Sequence, residues 1–262
     1  IRDFCLSRGL GDVYKRQDTY HYYEFEMNVL NTVWDLFLSE PYRDGGSGLN
    51  GYDMHGLRTA VHVDGSINDP SAENKGWSVE VVIPFAALYE YQKERRAPKN
   101  GEFYRMNFSR VQWKVDIKDN TYVKRTNEAG NVLPEDNWVW APTGVINIHY
   151  PELWSFVFFS DDRGDAPCDI TIPEDEYRKW ELRKLYYAEN ILFETTGSYS
   201  DSLTVLQETL AAYAPNDFNK TVKALDYTIE TTSHSYLITC PSADGAHLLL
   251  LSSNGKVEKV TR

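Results

Sequence analysis

The stretch EDNWVWAPTGVINIHYPELWSFVFFS, residues 135–160, decides the fold of this chain. It contains three of the seven Trp residues, a Pro-Thr-Gly turn, a His-Tyr-Pro-Glu corner and a final apolar segment. Aromatic and β-branched residues between turn signals are typical of the closing strands of a β-sandwich. Trp154 lies where both strand faces are apolar, which predicts a core position. Trp138 and Trp140 share one strand face, and at least one of them is expected in the core.

Period-two alternation predicts further half-buried strands upstream of this stretch. In residues 20–29, Tyr23 and Phe25 point to one side, whereas Glu24 and Glu26 point to the other. Further strands are predicted over residues 33–39, 56–63, 77–85 and 103–113. Repeated short strands separated by turn signals indicate an all-β sandwich.

Two segments interrupt this pattern. Residues 114–134 are polar and are expected to form a protruding loop. Residues 1–17 lack alternation, and their end, DVYKRQ, looks like a sequencing adaptor translated in frame. We therefore expect residues 1–17 to be an artefactual segment and residues 18–160 to be the first true domain.

The composition changes after residue 160. Residues 161–172 are predicted to be a linker, and residues 173–262 an accessory unit with a helix and antiparallel strands. Pro173 suits the first turn of the helix and Gly197 suits its end. The fold class expected for the whole chain is therefore mainly β, an antiparallel sandwich followed by a small α+β unit.

Charge and composition exclude several classes of function. The formal net charge of −12 argues against a nucleic-acid partner, because binding to phosphates depends on Lys and Arg. No apolar run approaches the roughly 20 residues that span a bilayer. Cys5, Cys168 and Cys240 lack the spacing of a zinc site. An acidic surface and an aromatic content of 14% suit a neutral polysaccharide, because sugar C–H faces stack on aromatic rings.

Residues 20–160 resemble carbohydrate-binding module family 9 and its relatives in Bacteroidetes. The resemblance rests on the order and spacing of YYEFEMNVLNTVWDLFL (22–38), GLRTAVHVDGSIN (56–68), KGWSVEVVIPFAAL (75–88), FYRMNFSRVQW (103–113) and the stretch 135–160. It implies a sugar-binding β-sandwich of a secreted or cell-surface protein, often appended to a glycoside hydrolase. It also implies that the first strands of the sandwich precede residue 18 and are missing from this chain.

The sugar clamp of the xylan-binding members of that family does not carry over residue by residue. In those members two Trp rings, a Glu, an Arg and an Asn hold a terminal sugar. One Trp and the Glu lie in strands that precede residue 18, the Arg position carries Glu26, and the second Trp position falls at Ile148. The ligand class therefore rests on analogy of fold.

Seven residues are candidates for carbohydrate binding because they are aromatic or polar and lie on polar strand faces or at a corner. They are Trp34, Asp35, Arg58, Arg105, Asn107, Trp138 and His149. Each of them alone also fits a structural role.

The sequence thus predicts a non-catalytic polysaccharide-binding module for carbohydrate catabolism, working with a glycoside hydrolase partner domain in a secreted, periplasmic or cell-surface protein. One alternative is a fragment of a glycoside hydrolase whose catalytic part was lost or whose acids are Glu24, Glu26 or Glu80, although outward alternation alone explains these residues. A second alternative is a structural or adhesion scaffold. Glycan binding without turnover would separate the module from both alternatives.

No catalytic or metal-ligating motif is predicted, and no cofactor is required. One polar turn region is rich enough in oxygen ligands to hold a structural calcium ion. Its candidate ligands are Asp64, Asn68, Asp69 and Glu73.

Overall fold

The structure is a computed structural model that describes residues 20–90, 92, 94–145, 147–162, 164, 170–213 and 220–262. The predicted artefactual segment, residues 1–17, lies outside the described residues, together with Cys5 and Cys168. The same holds for residues 163 and 165–169 of the predicted linker.

Short antiparallel strands dominate residues 20–162, which we call the N-terminal unit. They are β1 (Tyr22–Met27), β2 (Val33–Leu38), β3 (Gly48–Leu49), β4 (Arg58–Asp64), β5 (Gly76–Val82), β6 (Phe103–Met106), β7 (Ser109–Gln112), β8 (Val115–Lys118), β9 (Thr121–Lys124), β10 (Asp136–Val139) and β11 (Ser155–Phe158). β1, β2 and β3 form one sheet, and the remaining strands pair as β4–β5, β6–β11, β7–β10 and β8–β9. The prediction of a mainly β, antiparallel chain is confirmed.

The core of the N-terminal unit lies on one side of β1 and β2. Phe25 and Met27 of β1 are buried there with Phe37 of β2 and Tyr104 of β6. The inward-facing residues of the β4–β5 hairpin, such as Val79, are packed against this cluster. The alternation along β1 therefore correctly predicted which side chains face the core.

The segment between β6 and β10 differs from its prediction. Residues 103–113 do not form one strand, because the ladder breaks at Asn107 and Phe108 and β6 and β7 pair with different partners. Residues 114–134 are not only loop, because β8 and β9 form a hairpin within them. Together, β7–β10 and β8–β9 make an arm of paired strands, residues 109–139.

Residues 170–262, the C-terminal unit, combine two helices with one sheet. Its elements are α1 (Glu174–Thr196), α2 (Leu203–Tyr213), β12 (Thr228–Thr231), β13 (Tyr236–Pro241), β14 (His247–Ser252) and β15 (Val257–Thr261). The strands form an antiparallel meander, and α1 packs against α2, β13 and β14. Pro173 precedes α1, and Gly197 ends it with a left-handed backbone, φ 77°, as predicted.

Helix α1 is buried differently from its sequence pattern. In the sequence, helical periodicity puts Tyr177 on one face with Trp180, Tyr187, Ala188 and Ile191, yet Tyr177 is 46% exposed. Around the middle of α1, charged residues are buried as fully as Leu182, including Arg183 and Lys184. The reason is that α1 has neighbours on both sides, with the C-terminal sheet on one side and the N-terminal unit on the other. Lys184 is compensated by Glu181, at 3.0 Å.

Candidate functional site

The candidate site lies on the face of β1 and β2 opposite the Phe25 cluster, where Tyr22, Leu36, Leu38 and Trp154 form a second, smaller buried cluster. Alternation puts Glu24 and Glu26 on this face, and the antiparallel register places Trp34 directly opposite Glu26. Tyr42 and His149 lie over the same face, since both contact Glu24. We call Glu24, Glu26, Trp34, Tyr42 and His149 the Trp34 face. It brings together two of the predicted site residues, Trp34 and His149.

One end of the Trp34 face is buried, which corrects the solvated position expected for Glu24. Only 4% of Glu24 is exposed. Beside it, Tyr22 packs edge-on against Trp154, with ring centroids 5.3 Å apart. Trp154 is in the core as predicted, and its indole nitrogen donates to the carbonyl of Ile148 at 2.6 Å. β1 is therefore covered on both faces at this end.

The buried end has a defined set of polar contacts. Nδ1 of His149 lies 3.3 Å from the hydroxyl of Tyr22 and 3.8 Å from Oε2 of Glu24. The hydroxyl of Tyr42 donates to the same Glu24 oxygen at 3.4 Å. The Tyr42 ring meets the His149 ring edge-on at 4.8 Å. These contacts fix the orientation of one carboxylate, one imidazole and two phenols.

The protonation states at this end follow from burial. Burial lowers the pKa of His149 to about 4, so the imidazole is neutral at pH 7. Burial and the charge of Glu24 raise the pKa of Tyr42 to about 12, so its hydroxyl keeps its proton. The site thus offers uncharged donors and acceptors beside carboxylates. Such groups can hydrogen-bond the hydroxyl groups of a neutral ligand.

The other end of the Trp34 face is open. Trp34 is 49% exposed, and its indole nitrogen donates to Oδ1 of Asn50 at 3.0 Å. The amide of Asn50 is held in turn by the carbonyl of Gly48, at 3.2 Å. The ring is therefore held in place next to Glu26, which is partly exposed. An exposed, oriented ring beside a carboxylate is the part of the site that a ligand can reach.

Three predicted site residues have structural contacts instead. Asp35 points to the core side of β2, and its Oδ2 accepts from the backbone nitrogen of Met54 at 2.5 Å. Arg105 donates to the carbonyl of Trp154 at 2.7 Å and to Glu176 of α1 at 3.2 Å. Asn107 is fully buried.

The contacts of Asn107 explain its burial. Its amide accepts from the backbone nitrogens of Phe108 and Ala141, at 2.9 and 3.1 Å, and donates to the carbonyl of Ala141 at 2.9 Å. Asn107 thereby satisfies backbone groups at the break between β6 and β7. The sequence placed Asn107 on a polar strand face, but at the break between β6 and β7 its side chain is buried against backbone groups.

The remaining predicted residues lie on other surfaces. Arg58 is on the exposed side of β4, and Glu80 is on the exposed side of β5, so neither belongs to the Trp34 face. Trp138 is 65% exposed on β10 and lies opposite Arg110 of β7. Trp140 is also exposed and packs its ring edge-on against Phe108, so the prediction that at least one of these two Trp residues lies in the core is wrong.

Sequence reasoning missed Tyr42, Asn50 and Arg110. Tyr42 and Asn50 lie in the glycine-rich residues 42–53, where no periodicity indicates which residues fold back over β1. Arg110 follows the break at Asn107, after which the phase of the alternation changes. Only the register of β7 against β10 shows that Arg110 and Trp138 are neighbours.

The predicted calcium ligands form a hydrogen-bonded turn. Oδ1 of Asp69 accepts from the backbone nitrogen and hydroxyl of Ser71, at 2.9 and 2.6 Å, and these bonds lower the pKa of Asp69. Within the described ranges, no cluster of three or more His, Cys, Asp or Glu side chains is placed to hold a metal ion. The structure therefore adds no support for a calcium site.

Neither α1 nor α2 is long and apolar enough to cross a bilayer, and the part of the chain that the structure describes contains no other candidate span. Comparison with protein-family models, curated proteins and solved structures finds no significant match to this chain.

Proposed function

We propose that this chain binds carbohydrate through the Trp34 face. The observation that carries the proposal is the half-exposed Trp34 ring, which Asn50 holds in place directly opposite Glu26. A pyranose has apolar C–H faces and a rim of hydroxyl groups. The Trp34 ring offers an apolar surface on which the C–H face can stack, and Glu26 and Tyr42 offer polar groups that can hydrogen-bond the hydroxyl groups.

The arrangement of the N-terminal unit supports this proposal. Side chains of β1, β2, β4 and β5 belong to one hydrophobic cluster, as the inward-facing side chains of a β-sandwich would. This packing is compatible with the resemblance to carbohydrate-binding module family 9. Under this proposal the chain is a non-catalytic module for polysaccharide catabolism outside the cytoplasm, next to a glycoside hydrolase domain.

The experiment is affinity electrophoresis through gels containing neutral polysaccharides, followed by calorimetry on oligosaccharides of any that retard the chain. We expect Trp34→Ala to lower the affinity about fivefold to thirtyfold, because loss of one stacked ring costs on the order of 1–2 kcal/mol. Glu26→Gln removes the charge but keeps the shape, so it should lower the affinity less.

Leu30→Ala is the matched control for Trp34→Ala. Leu30 is a 64% exposed apolar residue in the turn between β1 and β2, close in sequence to Trp34. If non-specific hydrophobic adhesion retards the chain, both substitutions weaken retardation alike. If the Trp34→Ala variant binds every glycan that retards the wild type with unchanged affinity, the Trp34 face is not the binding site.

A hydrolase is the second candidate, because Glu24 is buried beside His149 and Tyr42 while Glu26 is two positions away on the same face. Residues at this spacing on a strand are about 6.6–7 Å apart at the backbone. Release of reducing sugar that is lost in both Glu24→Gln and Glu26→Gln would favour the hydrolase. Binding without turnover favours the module, and absence of both favours a structural or adhesion scaffold.

A further inference from the structure

The arm of residues 109–139 carries an exposed aromatic and cationic pair that the Trp34 face does not use. Trp138 of β10 and Arg110 of β7 are directly opposite each other in the antiparallel register. The guanidinium carbon of Arg110 lies 5.4 Å from the centre of the Trp138 ring. Directly opposite residues in such a register point to the same side of a sheet, so the two groups form one surface.

Arg110 differs from Lys114 and Arg125 of the arm in its charge partners. Lys114 is paired with Asp136 at 3.5 Å, and Arg125 is paired with Asp116 at 2.9 Å. Arg110 donates to the amide oxygen of Gln112 at 2.7 Å, and no carboxylate of the described ranges lies within ion-pair distance of it. Although the chain has a net charge of −12, the exposed guanidinium of Arg110 can therefore bind an anion.

We propose that Arg110 and Trp138 form a second subsite that binds the carboxylate of an acidic sugar, a uronic acid residue. The ring of Trp138 stacks on the apolar face of the pyranose, and Arg110 donates two parallel hydrogen bonds to its carboxylate. The proposal rests on carbohydrate binding for its ligand class, but it uses none of the residues of the Trp34 face.

The charges around this pair favour a single carboxylate over a polyanion. Asp136 lies two pairs along the same ladder, opposite Gln112, and disfavours a row of phosphates at this surface. Affinity for nucleic acid or an anionic membrane needs several unpaired cations together. One guanidinium beside one indole can bind one charged sugar residue of a glycan whose other residues are neutral.

The experiment compares two ligands that differ only in charge. An oligosaccharide of neutral sugars that carries one glucuronic acid residue, and the same oligosaccharide after reduction of that carboxylate to an alcohol, are titrated against the full chain by calorimetry. We expect the carboxylate form to bind about threefold to fivefold more tightly at low salt, which is the range of an exposed ion pair. The preference should fall as ionic strength rises.

Substitutions assign the preference to the subsite. Arg110→Gln should abolish the preference for the carboxylate form. Arg110→Lys should retain only part of the preference, because a lysine lacks the planar guanidinium that donates two parallel hydrogen bonds. Trp138→Ala should lower the affinity for both ligands. Lys118→Gln, which removes an exposed charge of the same arm, is the control and should leave the preference unchanged.

The outcomes separate this proposal from the proposal for Trp34. Equal affinity for the two ligands, or a preference that survives Arg110→Gln, overturns the uronate subsite and leaves the Trp34 result standing. A preference lost in Arg110→Gln but unaffected by Trp34→Ala supports the subsite even if the Trp34 face fails its own test.

Discussion

Tyr186 of helix α1 donates a hydrogen bond from its phenol to Oδ1 of Asp44, which ties the C-terminal unit to the N-terminal unit. A second phenol, Tyr187, donates in the same way to Glu152. Arg43 reinforces this junction, with Nη1 3.1 Å from Glu152. The two units therefore share a buried layer of hydrogen bonds and charges, and we expect them to unfold together.

Tyr186→Phe tests this junction. The substitution keeps the ring but leaves Oδ1 of Asp44 without that donor, and loss of a hydrogen bond to a buried acceptor costs about 1–3 kcal/mol of unfolding free energy. Urea unfolding measured by near- and far-ultraviolet circular dichroism should show one transition, shifted to lower urea. Tyr177→Phe, at an exposed position on the same helix, is the control and should be near neutral. Two separate transitions in the wild type would contradict a shared junction.

Gly255 allows the last hairpin to approach Tyr186. Its φ is +81°, and a Cβ built there would lie 3.0 Å from the Tyr186 ring. Gly255→Ala should therefore destabilise the chain by more than about 1 kcal/mol, measured by urea unfolding. Gly130→Ala is a matched control, because Gly130 has φ +83° and open space around it. If both variants lose the same stability, the close approach to Tyr186 contributes nothing.

His149 should make stability depend on pH. Its pKa is lowered to about 4 in the folded chain, whereas an unfolded His titrates near about 6.5. Between these values His149 binds more protons in the unfolded chain, so the contribution of His149 to the unfolding free energy, measured as the difference between the wild type and His149→Gln, should fall as the pH drops from about 6.5 to about 4. His149→Gln should remove this contribution, and His62→Gln, exposed on β4, should retain it. Parallel pH profiles of His149→Gln and the wild type would show that His149 does not contribute.

Asn107→Ala distinguishes a structural role from sugar binding. We expect a loss of about 1–3 kcal/mol in unfolding free energy, because the backbone groups of Phe108 and Ala141 lose their buried partners. Glycan affinity per folded molecule should stay within experimental error of the wild type. A reduced affinity at full stability would instead return Asn107 to the binding residues.

Alternation predicted much of the N-terminal unit because its signal is local. The inward positions of β1 and β5 follow from residues two apart, and the structure places Phe25 and Val79 at the core as expected. The burial of Glu24 was not predictable in this way. It depends on Tyr42 and His149, which are distant in sequence and return to β1 only in the folded chain.

The same limit applies to helix α1 and to the candidate site. Pro173 and Gly197 marked the ends of α1 because capping is local, but the burial of Arg183 and Lys184 depends on a second neighbour that sequence periodicity cannot indicate. Trp34 and His149 were identified by residue type. Their common face, and the pairing of Trp138 with Arg110, required the strand register.

Helix α1 is covered on both sides, and this has a consequence for synthesis. The N-terminal unit leaves the ribosome first, with Asp44 and Glu152 still exposed to solvent, because their phenol donors on α1 have not yet left the ribosome. The unit can build its own core around Phe25 at that stage, but not its junction. During translation the junction surface of the N-terminal unit therefore stays exposed until Tyr186 and Tyr187 emerge from the ribosome and donate their hydrogen bonds.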